Sequence, residues 1–190
     1  MIIGFLGNKR VGKDTAANFL INKYNFIRYA FGDPVKDVAK AMFNFSEDQL
    51  YGDKKEIIET IWNITPRRAF QVIGTDFAQY SIYNSLPELE QNIKKKTFWV
   101  KWFEIWYQEQ IKNNININVV LSDVRFQHEI DSIKKLGGII IKINSNRTTN
   151  DNHISENQIN SIQSYDYLIN NNNDIESFKQ EIDKVYERLV

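Results

Sequence analysis

The sequence predicts an α/β fold in which helices cover both faces of a parallel β-sheet. Three observations favour it. Short apolar segments alternate with helical patterns along most of the chain, which is typical of parallel sheets with right-handed crossovers. The first apolar segment leads directly into a glycine-flanked loop and then a helix. The chain has 190 residues, enough for one domain (1–190) with a real hydrophobic core.

The first three elements follow from apolar patterning. Ile2–Leu6 predicts a buried strand, Asp14–Tyr24 a helix that packs on it, and Phe26–Phe31 a short second strand. Asp33 and Pro34 then predict a helix start, with Asp33 as the N-cap and Pro34 at the first helical position, where its missing N–H costs nothing.

The middle of the chain, from about 46 to 113, is predicted to be mostly helical. Thr65-Pro66 repeats the helix-start pattern before a helix over Arg67–Ile73. Phe98–Asn113 predicts a long aromatic-rich helix. Its predicted apolar face carries Phe98, Trp102, Ile105 and Trp106. This helical stretch interrupts the alternation of strands and helices, so we expect it to be an insertion in a core formed by about 1–45 and 114–190.

The last part of the chain returns to alternation. Predicted strands cover Asn118–Ser122, Ile139–Ile143 and Tyr167–Ile169. A helix after the first of these is expected to stop at Gly137-Gly138, and an amphipathic helix over Ile175–Leu189 closes the chain. Together with the two strands above, these give five parallel strands.

The loop after the first strand carries the strongest chemical signal. Gly7 and Gly12 bracket four residues and Lys13 follows at once, the spacing of a phosphate-binding loop. Glycines let successive backbone N–H groups curl around a polyphosphate, and the next helix points its positive end at the same charge. We expect the following residues to bind ATP: Gly7, Asn8, Lys9, Arg10, Val11, Gly12, Lys13, Asp14 and Thr15. The alternative is a simple glycine turn, which both flanking elements disfavour.

One residue departs from the usual loop pattern. Asp14 stands where Ser or Thr normally follows the lysine and holds Mg²⁺, and the hydroxyl comes one residue later, at Thr15. A carboxylate is a hard oxygen ligand for Mg²⁺, so Asp14 is a candidate metal ligand. The loop ending is typical of small-metabolite kinases rather than GTPases.

Charged residues also follow the third strand. In an open parallel sheet, ligands sit beyond the carboxyl ends of the strands. Asp123 is placed there to hold Mg²⁺, and Arg125 to offer its planar fork to a phosphoryl group. The alternative is an Asp N-cap with a surface arginine. The loop over 144–156, after the fourth strand, reaches the same edge.

Two further groups are candidates for an acceptor. Arg67 and Arg68 lie in a first helical turn, where cations oppose the helix dipole unless an anion compensates. That position favours a bound phosphate, although a capped helix with exposed cations is the alternative. For Asp33, its predicted role as a helix N-cap explains its position as well as a contact with the substrate does.

Composition excludes several classes of function. Lysine plus arginine equals aspartate plus glutamate, 24 each, so no global field attracts nucleic acid or membranes. There is no cysteine, hence no disulfide or thiolate chemistry. His128 and His153 lack metal-ligand spacing. The N-terminal apolar run is too short for a signal peptide or a membrane span, so we expect an intracellular, cytoplasmic protein.

The ordered set of motifs resembles the viral (phage-type) deoxynucleoside monophosphate kinases, a family of P-loop kinases. The matching segments run over nearly the whole chain: Gly-Lys-Asp-Thr at 12–15, Phe-Gly-Asp-Pro-Val-Lys at 31–36, Thr-Pro-Arg-Arg-Ala-Phe-Gln-Val-Ile-Gly-Thr-Asp at 65–76, Phe-Trp-Val at 98–100, Ser-Asp-Val-Arg-Phe-Gln-His-Glu at 122–129, Gly-Gly at 137–138, His-Ile-Ser-Glu at 153–156 and Asp-Tyr-Leu-Ile-Asn-Asn at 166–171.

The resemblance implies a nucleoside-monophosphate-kinase-like three-layer sandwich with a five-stranded parallel sheet, a helical acceptor-binding insertion and a short lid. It implies transfer of the γ-phosphoryl of Mg²⁺-bound ATP to a deoxynucleoside 5′-monophosphate, in the host cytoplasm if the chain is viral. A homodimer is left open. Catalytic roles are expected for Lys13, Asp123 and Arg125, with Asp14 and Asp123 on the metal. The expected acceptor-binding residues are Asp33, Lys36, Arg67, Arg68, Gln71, Trp99 and Arg125.

Two positions depart from the family pattern. Near Gln79 the family commonly has an arginine; if that arginine helps to hold the acceptor, its absence weakens acceptor affinity or shifts the task to Arg67 or Arg68. In the predicted lid, the 144–156 loop, Arg147 is the one arginine. Two other functions stay open: a kinase for another small metabolite, similar to phosphomevalonate or dephospho-coenzyme A kinase, and a nucleotide-binding module without transfer.

Overall fold

The computed structural model describes residues 1–113, 116–146, 159 and 161–190. These residues form two compact units, the first from Met1–Ala30 and Tyr107–Val190, the second from Phe31–Trp106. The second unit therefore begins earlier than the insertion predicted over 46–113. The reason is that the helix after Ala30 packs on the elements between 66 and 81.

The first unit contains a five-stranded parallel sheet in the order β2-β3-β1-β4-β5. This confirms the predicted fold class. β1 lies in the middle, where every residue of the strand is buried. The strands are β1 Ile2–Leu6, β2 Ile27–Tyr29, β3 Val119–Val124, β4 Ile139–Asn144 and β5 Tyr167–Asn170.

The helices mostly match their predicted places. The α-helices are α1 Lys13–Tyr24, α2 Gly32–Phe43, α3 Glu47–Leu50, α4 Pro66–Gln71, α5 Ile82–Ser85, α6 Phe98–Asn113, α7 Gln127–Lys135 and α8 Ile175–Glu187. Two 3₁₀-helices cover Asp53–Glu56 and Pro87–Gln91, and a π-helix covers Val72–Ser81.

The sheet of the first unit is covered on both faces. α1 and α8 lie on one face, where the ring of Tyr24 stacks on that of Tyr186 with centroids 3.8 Å apart. α7 covers the other face through Ile130 and Ile133, both fully buried. The main core between α1, α8 and the sheet includes Ile3, Phe5, Ala16, Ala17, Leu20, Val120, Ile141, Ile143, Phe178 and Ile182.

Several predicted boundaries were wrong for physical reasons. Asp33 is not an N-cap, because α2 already begins at Gly32, which places Asp33 and Pro34 in the first turn; an acidic residue suits that turn and a proline is tolerated in it. β2 is shorter than predicted. β3 extends through Val124, so Asp123 lies within the strand.

The second unit is organised around α6 and the π-helix. The indole N–H of Trp99 donates to the carbonyl oxygen of Gly74 over 2.8 Å. Trp99 and Phe103 are buried, whereas the side chains of Trp102 and Ile105 are about half exposed. The predicted apolar face of α6 was therefore displaced by about one residue, because aromatic residues occupy both faces of this helix.

Among the described residues, none of the helices is long and apolar enough to span a bilayer.

We predict that Trp99→Phe lowers the free energy of unfolding by about 1–3 kcal/mol, because the carbonyl of Gly74 loses its buried donor. Urea unfolding followed by circular dichroism measures this. Trp102→Phe, at a half-exposed position on the same helix, is the control and should change stability by less than about 0.5 kcal/mol. Equal effects of the two substitutions would contradict the assigned role of the indole N–H.

Candidate functional site

The loop between β1 and α1 has a backbone that needs glycine at both ends. At Gly7 a Cβ atom would lie 2.4 Å from the carbonyl oxygen of Ile143, at the end of β4. Gly12 has a φ of +107°, which side chains rarely adopt. The spacing that identified the loop in the sequence therefore corresponds to two positions that only glycine fills without strain.

Lys13 begins α1 and folds back over the loop. Its Nζ donates to the carbonyl oxygens of Gly7 and Asn8 over 2.9 and 2.7 Å. The N-cap of α1 is Gly12, which has no side chain with which to cap the first N–H groups of the helix. An uncapped helix N-terminus beside a lysine ammonium is a suitable environment for an anion.

Asp123 and Arg125 lie near the carboxyl end of β3, next to β1 in the sheet. Asp123 is half-buried and the Arg125 side chain is exposed. Helix α7 begins at Gln127 with Phe126 as its N-cap, so Asp123 is not a helix cap. This removes the alternative explanation for the aspartate.

Glu129 is a buried carboxyl that was not among the predicted site residues. Its Oε2 accepts hydrogen bonds from the backbone N–H of Arg125 over 2.7 Å and of Phe126 over 3.0 Å. It therefore fixes the turn that follows Asp123. A Glu three residues after the N-cap is half of a capping box and could have predicted this role. The pattern was not recognised because the N-cap residue is Phe126, whose side chain cannot accept a hydrogen bond.

The pKa of Glu129 is raised to about 8. Burial is the main cause and the negative charge of Asp123 adds to it, while the N–H groups of Arg125 and Phe126 and the charge of Arg125 act in the opposite direction. At neutral pH the carboxyl is therefore mostly protonated in the folded protein. At the turn after β3, Asp123 then carries a negative charge, whereas the neighbouring carboxyl of Glu129 is neutral.

The predicted acceptor residues of the second unit form two clusters. In the first, Lys36 Nζ lies 3.1 Å from Asp33 Oδ1 and 4.2 Å from the centroid of the Tyr51 ring. The ion pair is mostly buried, but Tyr51 is 46 % exposed. Tyr51 was not among the predicted site residues, because an isolated tyrosine after a short helix belongs to no motif.

The second cluster surrounds the start of α4, where Thr65 is the N-cap as predicted. Arg67 Nε lies 3.0 Å from Glu56 Oε1, and Arg68 Nη1 lies 3.8 Å from Asp76 Oδ2. Carboxylates of the same unit therefore already compensate the cations in this first turn. The cations in this turn have partners without a phosphate, and the assignment of Arg67 and Arg68 to an acceptor stays a prediction.

The other predicted residues differ in accessibility. Gln71 is exposed and Gln79 lies half-buried on the π-helix. Trp99 is 8 % exposed and its N–H is used by Gly74, so it is a packing residue in this structure and its contact with an acceptor stays a prediction. Arg147 and His153 lie outside the described residues, as does most of the predicted lid.

His128 is half-buried and stacks on Phe126, with ring centroids 5.3 Å apart. Within the described ranges there is no cluster of three or more His, Cys, Asp or Glu that could hold a metal by itself.

Comparison with known proteins decides the family. The family model for deoxynucleotide monophosphate kinases matches residues 1–63 and 46–182. The chain belongs to this family. A protein of Acanthamoeba polyphaga mimivirus, whose name assigns it provisionally as a deoxynucleotide monophosphate kinase, is 40 % identical over 186 residues, 96 % of this chain and 94 % of the relative.

A more distant member is the deoxynucleotide monophosphate kinase of Escherichia phage RB69. It is 26 % identical over 147 residues, which cover 75 % of this chain and 54 % of the phage protein. Among solved structures, dephospho-CoA kinase from Campylobacter jejuni is similar with a TM-score of 0.53 at 15 % identity, covering 99 % of this chain and 96 % of that one. This structural likeness supports the kinase fold.

We predict that Glu129 makes the protein less stable as the pH rises. Its pKa is raised from an ordinary value near 4.5 to about 8, so the folded state holds a proton that the unfolded state has lost. Stability from this group is complete below about pH 4.5 and falls by up to about 1.4 kcal/mol per pH unit until about pH 8. Urea unfolding at several pH values measures this loss.

Glu129→Gln keeps an oxygen that can accept from both N–H groups but cannot ionise. The free energy of unfolding of Glu129→Gln should therefore increase relative to that of the unsubstituted protein as the pH rises from about 4.5 to about 8. Glu181→Gln, at an exposed position on α8, is the control and should follow the unsubstituted protein. Parallel curves for Glu129→Gln and the unsubstituted protein would contradict the raised pKa.

Proposed function

We propose that this chain transfers the γ-phosphoryl group of ATP to a deoxynucleoside 5′-monophosphate, giving the diphosphate and ADP. The observation that carries the proposal is the phosphate-binding loop: Gly7, Gly12 and Lys13 retain its geometry in a chain of the deoxynucleotide monophosphate kinase family. The family's name supplies the acceptor class, and the loop supplies the reason to expect a nucleoside triphosphate as donor.

We assign the triphosphate of ATP to residues 7–15. Backbone N–H groups at the start of α1 would donate to its oxygens, and Lys13 would exchange the carbonyls of Gly7 and Asn8 for phosphate oxygens. A cleft of about 270 Å³ adjoins the loop and offers room for more of the nucleotide. It is lined by Asn8, Val11, Ile143, Asn144, Ser145, Asn146 and Ile159.

The donor set near the loop fits Mg²⁺. Asp14, exposed in the first turn of α1, and Asp123, half-buried near the end of β3, offer carboxylates, which are hard oxygen ligands. In kinases Mg²⁺ is held by one or two carboxylates together with substrate phosphates, so a protein-only cage is not required. Bound there, the ion would neutralise phosphate charge and fix the γ-phosphoryl group.

We assign the acceptor to the accessible polar residues of the second unit: Asp33, Lys36, Arg67, Arg68 and Gln71. Arg67 has a planar donor fork that suits a phosphate, and its present partner, Glu56, is 66 % exposed. Exchange of this carboxylate for the acceptor phosphate therefore costs little, because exposed ion pairs contribute only about 0–1 kcal/mol.

No general base is needed in this mechanism. The acceptor phosphate is already an anionic nucleophile, so the task of the protein is to align it and to neutralise the charge of the transferring group. Lys13 and Arg125 would serve that purpose, while Glu129 holds the backbone of Arg125 in place. We place the reaction in the cytoplasm, where both nucleotides are available.

The activity is tested with a panel of acceptors, with ADP release as the readout. All four deoxynucleoside monophosphates, their ribonucleotide counterparts, phosphomevalonate and dephospho-coenzyme A are compared at equal ATP and Mg²⁺. We expect at least one deoxynucleoside monophosphate to give the highest kcat/KM. ATP binding without any acceptor-dependent ADP would contradict transfer, and a preference for either of the last two acceptors would contradict the assigned acceptor class.

We predict that Lys13→Ala lowers kcat at least about 100-fold, because a cation aimed at the transferring charge is lost. Its circular dichroism spectrum should stay unchanged, since the Nζ of Lys13 bonds to the loop carbonyls of Gly7 and Asn8, which lie outside the helices and strands of the core. Lys112→Ala, at an exposed position on α6, is the control with unchanged kcat. Near-normal turnover of Lys13→Ala would remove this residue from the catalytic assignment.

We predict that Arg67→Ala raises the KM for the acceptor about 10–100-fold through loss of a charge-assisted hydrogen bond. The KM for ATP should not change, because Arg67 is assigned to the acceptor alone. Steady-state kinetics with each substrate varied in turn measures the two constants, and Arg188→Ala, at an exposed position after α8, is the control. An equal rise in both constants would contradict the assignment.

A further inference from the structure

A segment far along the chain is bonded to the phosphate-binding loop. The side chain of Asn171, just after β5, donates from Nδ2 to the carbonyl oxygen of Val11 over 2.9 Å. The two residues are 160 positions apart in the sequence. None of the roles assigned above includes this asparagine.

Asn171 is itself fixed at the end of the sheet. Its backbone N–H donates to the carbonyl oxygen of Asn144 over 2.8 Å, and its carbonyl oxygen accepts from Ser145 Oγ over 2.8 Å. Both partners lie at the end of β4. The side-chain amide of Asn171 is therefore presented to the loop from a backbone anchored to the neighbouring strand.

The bond to Val11 restrains the peptide unit that leads into α1. In a trans peptide the C=O and the next N–H point in opposite directions. Holding the Val11 oxygen on the Asn171 side therefore directs the N–H of Gly12 away from Asn171. The same amide lies close to position 12: a Cβ there would lie 2.6 Å from Asn171 Nδ2, so a side chain at this position would require the Asn171 amide to move.

We propose that Asn171 is a positioning residue for the triphosphate: it orients the Val11–Gly12 peptide so that the Gly12 N–H faces the bound phosphates. This inference rests on the proposed function only in taking residues 7–15 as the triphosphate site. Asparagine suits the task because its amide donates, whereas an aspartate of the same size would set an oxygen against the Val11 oxygen.

The test measures binding separately from transfer. Isothermal titration calorimetry gives Kd for Mg·ATP and for inorganic tripolyphosphate, which carries the phosphates without the nucleoside, and steady-state kinetics gives KM for ATP and for the acceptor. We expect Asn171→Ala to weaken both ligands by the same factor, about 10-fold for one lost orienting hydrogen bond. The KM for ATP should rise while that for the acceptor stays constant.

Two further variants complete the experiment. Asn171→Asp keeps the size and the backbone bonds of the residue, and should weaken both ligands more than Asn171→Ala does. It also provides the answer if the alanine variant does not fold. Asn170→Ala, at the exposed preceding position, is the control and should leave both Kd values unchanged.

Kd values within about twofold of the unsubstituted protein for both Asn171 variants would overturn the proposal, even if their melting temperatures fall, because a purely structural role predicts that pattern. Weakening of ATP without weakening of tripolyphosphate would also overturn it. Normal ATP binding by the unsubstituted protein without transfer to any acceptor would contradict the proposed function and leave the effect of Asn171 on binding still measurable.

Discussion

The proposed function requires the loop between β1 and α1 to turn several backbone N–H groups towards one point, and neighbouring elements of the first unit restrain this loop. The central position of β1 places the loop at the carboxyl edge of the sheet. A Cβ at Gly7 would collide with the carbonyl of Ile143, so the end of β4 closes against the loop. An asparagine after β5 holds the Val11–Gly12 peptide, just before α1. Three neighbouring strands thus determine the conformation of one short loop.

A few charged residues lie at this carboxyl edge of the sheet. The chain is neutral overall, yet the edge holds Lys13, Asp123 and Arg125. Protonation of buried Glu129 leaves one carboxylate at the turn after β3. A second ionised carboxyl there would oppose the approach of an anionic substrate. In the second unit the candidate acceptor cations are paired with carboxylates, which an incoming phosphate can replace.

The sequence predicted the elements whose signals are local. The buried strands, the loop of residues 7–15, the Thr65 cap and the full extent of α6 were all found from patterning, because each depends on neighbouring residues. The family resemblance was confirmed by the family model and by the mimivirus relative. The assigned roles of individual site residues remain predictions.

What the sequence missed depends on contacts between distant residues. The sequence does not show which face of α6 is buried, because Trp99 and Trp102 are the same residue type on different faces. The hydrogen bond from the Trp99 indole to the carbonyl of Gly74 distinguishes them, and it is seen only in the structure. The π-helix over Val72–Ser81 has no pattern of its own. The bond from Asn171 to Val11 joins positions that no local periodicity connects, and the importance of Glu129 follows from its burial.

In the proposed mechanism, main-chain N–H groups at the start of α1 bind a triphosphate. ¹H–¹⁵N correlation spectra of the labelled protein during titration with a non-hydrolysable Mg·ATP analogue observe these groups one by one. We expect saturable shifts for the amides of Gly12, Lys13, Asp14 and Thr15, larger than those of amides in α8. Binding that leaves these four amides unmoved while others shift would contradict this mechanism.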